Sequence, residues 1–277
     1  MNKQAFFEGW YYKLHKENFT IVFIPGIAQD MPFIQIITNE NTFYIPYKKD
    51  DFKVTNKVVI GNNLFSHLGL QVDIETDTIK IKGRVTFHRM TPLNYDIMGP
   101  FSKLPMECRH GVLSMHHRLK GSLTVNNKVI DLTNGTGYCE KDSGISFPKT
   151  YLWLQCNDFS KKASIMVSIA DIPFLGFTFK GCIAVLYFNN TEYRFATYLG
   201  VKILHYSKTH IVLKQGCYQL EIHGNPAQGH KLAAPTNGKM ERTIYETLSC
   251  SAYFRFYKKG KLLFDEHSSY TSFEFVE

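Results

Sequence analysis

Hydrophobic and polar residues alternate with a period of two along most of the chain. Leu70, Val72 and Ile74 alternate with Gln71, Asp73 and Glu75. After Thr76-Asp77-Thr78, Ile79, Ile81, Val85 and Phe87 alternate with Lys80, Lys82, Arg84 and Thr86. Successive side chains of a strand point to opposite faces, so the pattern predicts an antiparallel hairpin with one buried face. The same pattern flanks Asn126-Asn127 and Asn189-Asn190, then Gln215-Gly216 and Lys259-Gly260, each a dipeptide suited to a tight turn. No long stretch has a 3.6-residue period, and only short helical turns near Pro105–Arg109 are expected. Many short strands without alternating helices mean a sandwich or barrel. No internal repeat points to a propeller. The strand pattern is interrupted where the loop through Gly144 and Pro148 passes, which predicts two units, residues 1–145 and 146–277.

Composition narrows the class. Of 277 residues, 44% are hydrophobic, 14% aromatic and 20% charged, which excludes a disordered or coiled-coil chain. The net charge of +8 is spread out rather than clustered. Nucleic acid is therefore not an expected partner, and the charge suits an anionic partner or a membrane surface instead. The six cysteines form no C-x-x-C pair, which argues against a zinc ribbon. Glu8 interrupts the first apolar residues, so no signal peptide is expected and the chain reads as cytoplasmic with reduced thiols. Met166–Phe188 is apolar enough to tempt a membrane assignment. Asp171, Pro173 and Lys180 make it two buried strands instead.

Two polar segments carry candidate chemistry. His110, His116 and His117 lie near Glu107 and Cys108. On a strand, however, His116 and His117 face opposite ways and cannot share one ion, so no metal is expected. Phosphate-binding glycine loops are absent too, and no nucleotide cofactor is expected. In Gly137–Pro148, alternation puts Tyr138, Glu140 and Asp142 on one face and Cys139 on the other. A carboxyl beside a phenol on an inward face must be hydrogen-bonded or protonated. Spacing alone leaves open a structural network, in which a buried arginine pairs with Glu140, and a working acid.

Further motifs carry a resemblance. Phe7-Glu8-Gly9-Trp10-Tyr11-Tyr12-Lys13 resembles the F-E-G-W-Y-[FY]-K opening of the tocopherol cyclase family. Tyr138–Pro148 is similar to that family's Y-x-E-K-x-x-G-x-x-F-P. Tyr151–Asn157 resembles its aromatic-x-W-x-Q-C-N, and Leu232–Thr236 its L-x-A-P-T. The motifs keep the family's order. Kinship of that family with carotenoid 1,2-hydratase-like proteins implies an all-β fold of two tandem lipocalin-like antiparallel β-barrels. Ser143 stands where the plant pattern has Trp, and His117 where it has an aromatic; such changes are expected to reshape a pocket.

The resemblance implies an acid-catalysed isomerase. A protonated carboxyl adds its proton to a prenyl double bond of a quinol, and the phenolic oxygen closes the ring. A hydratase relative would capture the same cation with water. Glu140 is the implied donor, with Tyr138 and His116 as partners. Trp10, Tyr11, Trp153, Gln155 and Asn157 are the implied substrate contacts. An apolar pocket raises the pKa of such an acid, and aromatic faces stabilise the cation. No redox cofactor is required. The expected partner is an apolar small molecule, a prenyl quinol or lipid, delivered at the inner face of a membrane by peripheral contact. Each residue has a plainer reading, with Trp10 and Trp153 as core and Glu8 as a salt-bridge partner that is also the second choice of acid. Lys141 would weaken Glu140 as a donor unless alternation turns it away. A non-catalytic lipocalin-like carrier is the alternative class. The two classes differ in whether Glu140 faces a dry cavity or pairs outside it with Lys or Arg.

Overall fold

The structure is a computed structural model that describes residues 6–174 and 176–277. Its strands sort into two antiparallel sheets that follow chain order. The first contains β1 (Phe7–Lys16), β2 (Phe19–Ala28), β3 (Met31–Thr38), β4 (Thr42–Pro46), β5 (Phe52–Val54) and β6 (Lys57–Ile60). It continues through β7 (Asn63–Ser66), β8 (Gly69–Glu75), β9 (Lys80–Phe87), β10 (Cys108–Val125), β11 (Lys128–Asp131) and β12 (Thr136–Gly144). The second contains β13 (Tyr151–Cys156), β14 (Ala163–Phe174), β15 (Phe177–Phe188), β16 (Thr191–Ala196) and β17 (Lys202–Tyr206). It ends with β18 (His210–Gln215), β19 (Tyr218–Asn225), β20 (His230–Thr236), β21 (Lys239–Lys258) and β22 (Lys261–Val276).

Turn chemistry explains the local choices. Asn126-Asn127 and Asn189-Asn190 all have positive φ, between 46° and 70°, which asparagine tolerates and a two-residue hairpin needs. Lys259-Gly260 turns β21 into β22. The β18–β19 ladder closes at Gln215 and Tyr218, so its turn is Gly216-Cys217, one residue later than expected. Met166–Phe188 is the β14–β15 hairpin. The helical turn expected at Pro105–Arg109 lies instead at Gly99–Lys103, where Pro100 opens a 3-10 turn. Cys108 and Arg109 are already pairing with β12. Among the described residues no helix is long and apolar enough to cross a membrane, and all six cysteines are free thiols.

Each sheet rolls around its own apolar core. Tyr12, Phe23, Ile36, Phe65, Val72, Val85 and Leu123 fill the first. Leu154, Ile165, Leu186, Leu213, Leu220 and Phe254 belong to the second. Neither strand order closes into a ring: β4 and β5 end the first path, β16 and β17 the second. Side chains bridge the second seam. Gln215 on β18 accepts from Ala196 N at 3.0 Å and donates to Arg194 O at 2.9 Å, continuing the ladder through an amide.

The outer faces of the two rolls then pack on each other. Tyr11, Val22, Ile37, Met115 and Tyr138 of the first meet Trp153, Met166, Val185, Leu232 and Ile244 of the second in a third core. Polar links cross the same seam. The Gln35 amide donates to Ala233 O and accepts from Ala233 N, both at 2.9 Å. Arg194 donates to the carbonyls of Tyr95 and Asp96, and Tyr198 Oη to that of Ile97, tethering the segment between β9 and β10 to the second roll.

Two motif glycines play different roles here. Gly144 has φ +151°, and an added Cβ would lie 2.1 Å from Glu107 O, a backbone atom that cannot swing away. Gly9 has ordinary φ, and its Cβ would find nothing nearer than Ile24 at 3.8 Å. Gly144→Ala is expected to cost about 1–3 kcal/mol in urea unfolding. Gly9→Ala should change stability by less than about 0.5 kcal/mol. Equal costs would mean that the close β12–β10 approach is not what Gly144 serves.

Candidate active site

Alternation on three strands builds the site. On β1, Trp10, Tyr12 and Leu14 enter the first core, while Tyr11 lies between the rolls. On β12, Cys139 points inward and Tyr138 outward. On β13, Leu152 and Leu154 enter the second core, while Tyr151 and Trp153 look back at the first roll. A cavity of about 180 Å³ lies between the rolls, with Tyr11, Met98, Phe101, Phe147, Tyr151 and Trp153 among its apolar walls. Glu140, Asp142, Glu274 and His110 are among its polar lining.

Three buried carboxyls each receive a phenol. Tyr138 donates to Glu140 at 2.6 Å, Tyr151 to Glu274 at 2.6 Å, and Tyr11 to Glu246 at 2.5 Å. Tyr11 also reaches Ser272 Oγ at 3.1 Å. Glu246 and Glu274 stand directly opposite each other on β21 and β22. Two carboxylates so placed in a dry site cannot both ionise. His110 bridges two of the cavity's acids: its Nδ1 lies 2.8 Å from Asp142 and its Nε2 3.5 Å from Glu140.

Desolvation sets the protonation. Burial raises Glu140 from 4.5 to about 8; His110 and the Tyr138 hydrogen bond pull it down, and Asp142 pushes it up. Glu274 rises to about 7 for the same first reason, opposed by Tyr151. Burial and the neighbouring Glu274 raise Glu246 well above the usual range. Burial works against a charged His110, yet Asp142 and Glu140 outweigh it and hold the imidazole up at about 9. At neutral pH the wall therefore presents a neutral Glu140 acid beside an imidazolium that Asp142 balances.

The expected residues divide sharply. Glu140 and Tyr138 come together as their shared face predicted, and no arginine is paired with Glu140. Lys141 turns to the other face, 2.5 Å from Glu8 and 4.8 Å above the Trp10 ring. Trp10, on that opposite face, belongs to the first core and does not line the cavity. Tyr11 and Trp153 do line it, with ring centroids 5.3 Å apart. Gln155 is fully buried outside the lining, and Asn157 donates to Gly137 O at 3.0 Å, tying β13 to β12.

His116 is also outside the cavity lining. Alternation had put it on the face of Ser114, but β10 shifts register twice, between Val112 and Ser114 and between Ser114 and His117. His117 consequently bonds Ser114 Oγ at 3.0 Å and packs 4.4 Å from the Phe87 ring. Burial lowers His116 to about 4, and Arg118 and Lys162 add to it. Neither family departure reaches the cavity: His117 is under Phe87, and Ser143 follows Asp142 on the face turned away.

His110, Asp142, Tyr151, Glu246 and Glu274 are the site residues that sequence reasoning did not select. Asp142 was legible as a neighbour of Glu140 by alternation. Glu274, set between Phe273 and Phe275, carried the signal of a charge inside an aromatic run. Buried Lys13, whose Nζ lies 3.2 Å from Tyr270 O, had no signal beyond its motif. One ligand atom each from His110, Glu140 and Asp142 lies within 4.8 Å of the others, so these residues could hold a cation. Such an ion would compete with the proton that His110 already shares with Asp142.

Raised carboxyl pKa values make stability depend on pH. The folded chain holds protons on Glu140 and Glu274 that the unfolded chain, at 4.5, releases. Their contribution is complete below about 4.5 and is lost as pH rises through about 7 and then about 8. His110, raised from 6.5 to about 9, acts in the same direction at higher pH. His116 and His117, lowered to about 4 and about 3, instead cost stability as pH falls below 6.5. Tm is expected to fall between about pH 6.5 and 8.5, and to fall less in Glu274→Gln. A Glu274→Gln slope equal to that of the wild type would refute the assignment of buried, protonated carboxyls.

Comparison with known proteins follows this geometry. No curated protein matches the chain in sequence. Kievitone hydratase from Nectria haematococca superposes with a TM-score of 0.56 at 15% identity, covering 99% of this chain and 89% of its own. CghA with Sch210972 gives a TM-score of 0.60 at 8% identity, again covering 99% and 89%. At these identities the likeness is one of fold, and the two rolled sheets are its lipocalin-like halves. The profile described as tocopherol cyclase-like matches residues 48–275, from β4–β5 to the end of β22, and the chain belongs to that family.

Proposed function

We propose that the chain is an acid-catalysed isomerase that cyclises a prenylated quinol or a related isoprenoid. The observation that carries this reading is Glu140, a carboxyl raised to about 8 by burial at the wall of an apolar cavity. Alkene protonation needs a neutral acid of moderate strength and dry surroundings, and a desolvated glutamic acid supplies both. Tyr138 fixes the carboxyl from behind. The imidazolium of His110, balanced by Asp142, stabilises the carboxylate left when the proton departs.

The proposed step balances within the cavity. The Glu140 proton goes to the less substituted alkene carbon, and a tertiary cation forms beside the Tyr11 and Trp153 rings, whose faces stabilise positive charge. The quinol oxygen attacks that cation, a C–O bond closes, and the phenolic proton passes to a carboxylate. Glu140 can accept it directly, and Glu274 lines the same cavity. No net proton is consumed, so the reaction is an isomerisation. Capture of the cation by water is the second outcome, and the fold shared with kievitone hydratase favours testing for it.

Purified protein incubated with a prenylated benzoquinol, with products resolved by mass spectrometry, decides among the readings. A cyclised isomer supports the proposal, a product heavier by one water makes the chain a hydratase, and tight binding without turnover makes it a carrier. Glu140→Gln should lower kcat about 10²–10⁴-fold with KM little changed. Activity should fall as pH rises through about 8, where Glu140 ionises. Tyr138→Phe removes a bond that favours the carboxylate, so it should move that limb to higher pH. Full turnover by Glu140→Gln would place the acid elsewhere.

A further inference from the structure

The outer face of the second roll carries a separate cluster. His210 on β18 lies directly opposite His223 on β19, and Glu221 precedes His223 by two residues on the same face. The two imidazoles stack, with ring centroids 3.9 Å apart and planes 16° from parallel. Both Nε2 atoms turn toward one oxygen: Glu221 Oε1 is 2.8 Å from His223 and 3.5 Å from His210. His205 on β17 extends the row, its ring 4.6 Å from that of His210. The strands are held from within, because Ile211, Leu213, Leu220 and Ile222 belong to the second core. The cluster therefore sits on a rigid sheet rather than a loop.

Hydrogen bonding within the cluster is incomplete. His210 Nε2 is shielded from solvent yet has no hydrogen-bond partner. Glu221 Oε1 already accepts from the nearer His223 at 2.8 Å, so His210 Nε2 at 3.5 Å is a second imidazole nitrogen drawn up to the same oxygen. In a tetrahedral zinc site, bonds of about 2.0–2.2 Å put the donor atoms about 3.3 Å apart. The observed separations from Glu221 Oε1, 2.8 and 3.5 Å, bracket that value, and rotation of the stacked rings about χ2 would bring both lone pairs onto one ion. One ligand atom from each of the three residues lies within 4.8 Å of the others.

We propose that His210, His223 and Glu221 form a tetrahedral site for a divalent transition metal of the zinc type, its fourth position filled by water or His205. Imidazole ligands select zinc, nickel or copper over magnesium and calcium, which prefer oxygen. Arg255 on β21 is opposite Glu221 in register, and its charge is met by Asp265 at 3.4 Å. Tyr253 is opposite His223, beside the His267 ring at 4.5 Å. The site is independent of the acid in the cavity and does not rest on the proposed reaction.

Calorimetric titration of chelator-treated full-length protein with zinc chloride tests it. A Cys217→Ser background removes the exposed thiol, another zinc ligand. One equivalent should bind in the micromolar range, and magnesium chloride should give no saturable heat. Affinity should weaken as pH falls below about 6.5, where imidazole takes up a proton. His210→Ala and His223→Ala should each weaken binding at least about tenfold. The isosteric Glu221→Gln should weaken it as well. These side chains lie outside the core, and circular dichroism of each variant should match the parent. Cobalt(II) in place of zinc should give the intense visible bands of tetrahedral coordination. Absence of saturable zinc binding, or unchanged affinity in the double variant His210→Ala/His223→Ala, overturns the proposal.

Discussion

Polar groups in the seam between two rolled sheets are buried, and the protonation of its carboxyls depends on that burial. An isolated antiparallel roll has a wet outer face. Here the outer faces of β1, β12 and β13 are covered by the other roll, and every residue of β13 from Tyr151 to Cys156 is buried. A carboxyl on such a face loses its hydration without entering either core. Desolvation then becomes the largest influence on Glu140, Glu246 and Glu274 alike, and it keeps them protonated well above the ordinary carboxyl range.

Burying three acids together would be prohibitive if each were ionised and unpartnered. The structure meets the cost in two ways. Each carboxyl accepts a hydrogen bond from a tyrosine, and those phenols are themselves held protonated by burial and the adjacent acid. His110 and Asp142, 2.8 Å apart, set opposite charges against each other. In the proposed reaction the same arrangement that makes the seam tolerable would preorganise an acid: Glu140 is held by Tyr138, faces the cavity, and has His110 beside it to balance a carboxylate. Electrostatic preorganisation of this kind costs no rearrangement during reaction.

The cavity also owes its shape to segments outside the regular ladders. Met98 and Phe101, in and beside the 3-10 turn, form part of its wall. Their segment is pinned to the second roll by Arg194, which donates to two of its carbonyls and lies over the Tyr95 ring at 3.4 Å. On the other side, Phe147 and Pro148 from the connection between the sheets also line the space, and Arg242 holds Pro148 O at 2.7 Å. Buried Arg194 on one side and half-buried Arg242 on the other thus each fix a loop whose apolar side chains line the cavity.

Period-two alternation and turn dipeptides, both local properties, determined the strands, most hairpins and the shared face of Tyr138, Glu140 and Asp142. Alternation likewise determined that Lys141 turns from Glu140, because neighbours on a strand cannot share a face. It could not say which face was wet. Trp10 and Tyr11 are adjacent aromatics in one motif, and only the packing of one roll on the other puts Tyr11 at the cavity and Trp10 in a core. Glu274 sits on the face opposite Phe273 and Phe275, and Glu246 shares a face with Ile244 and Leu248; both are desolvated where β21 and β22 meet the first sheet, as Tyr11 and Glu246 show with a separation of 235. His116 failed for a different reason: two register shifts in β10 break the count along the strand, and a bulge has no period to read. Which residues form the acid site was thus decided by contacts between distant segments, since desolvation belongs to the assembled seam and to no single strand.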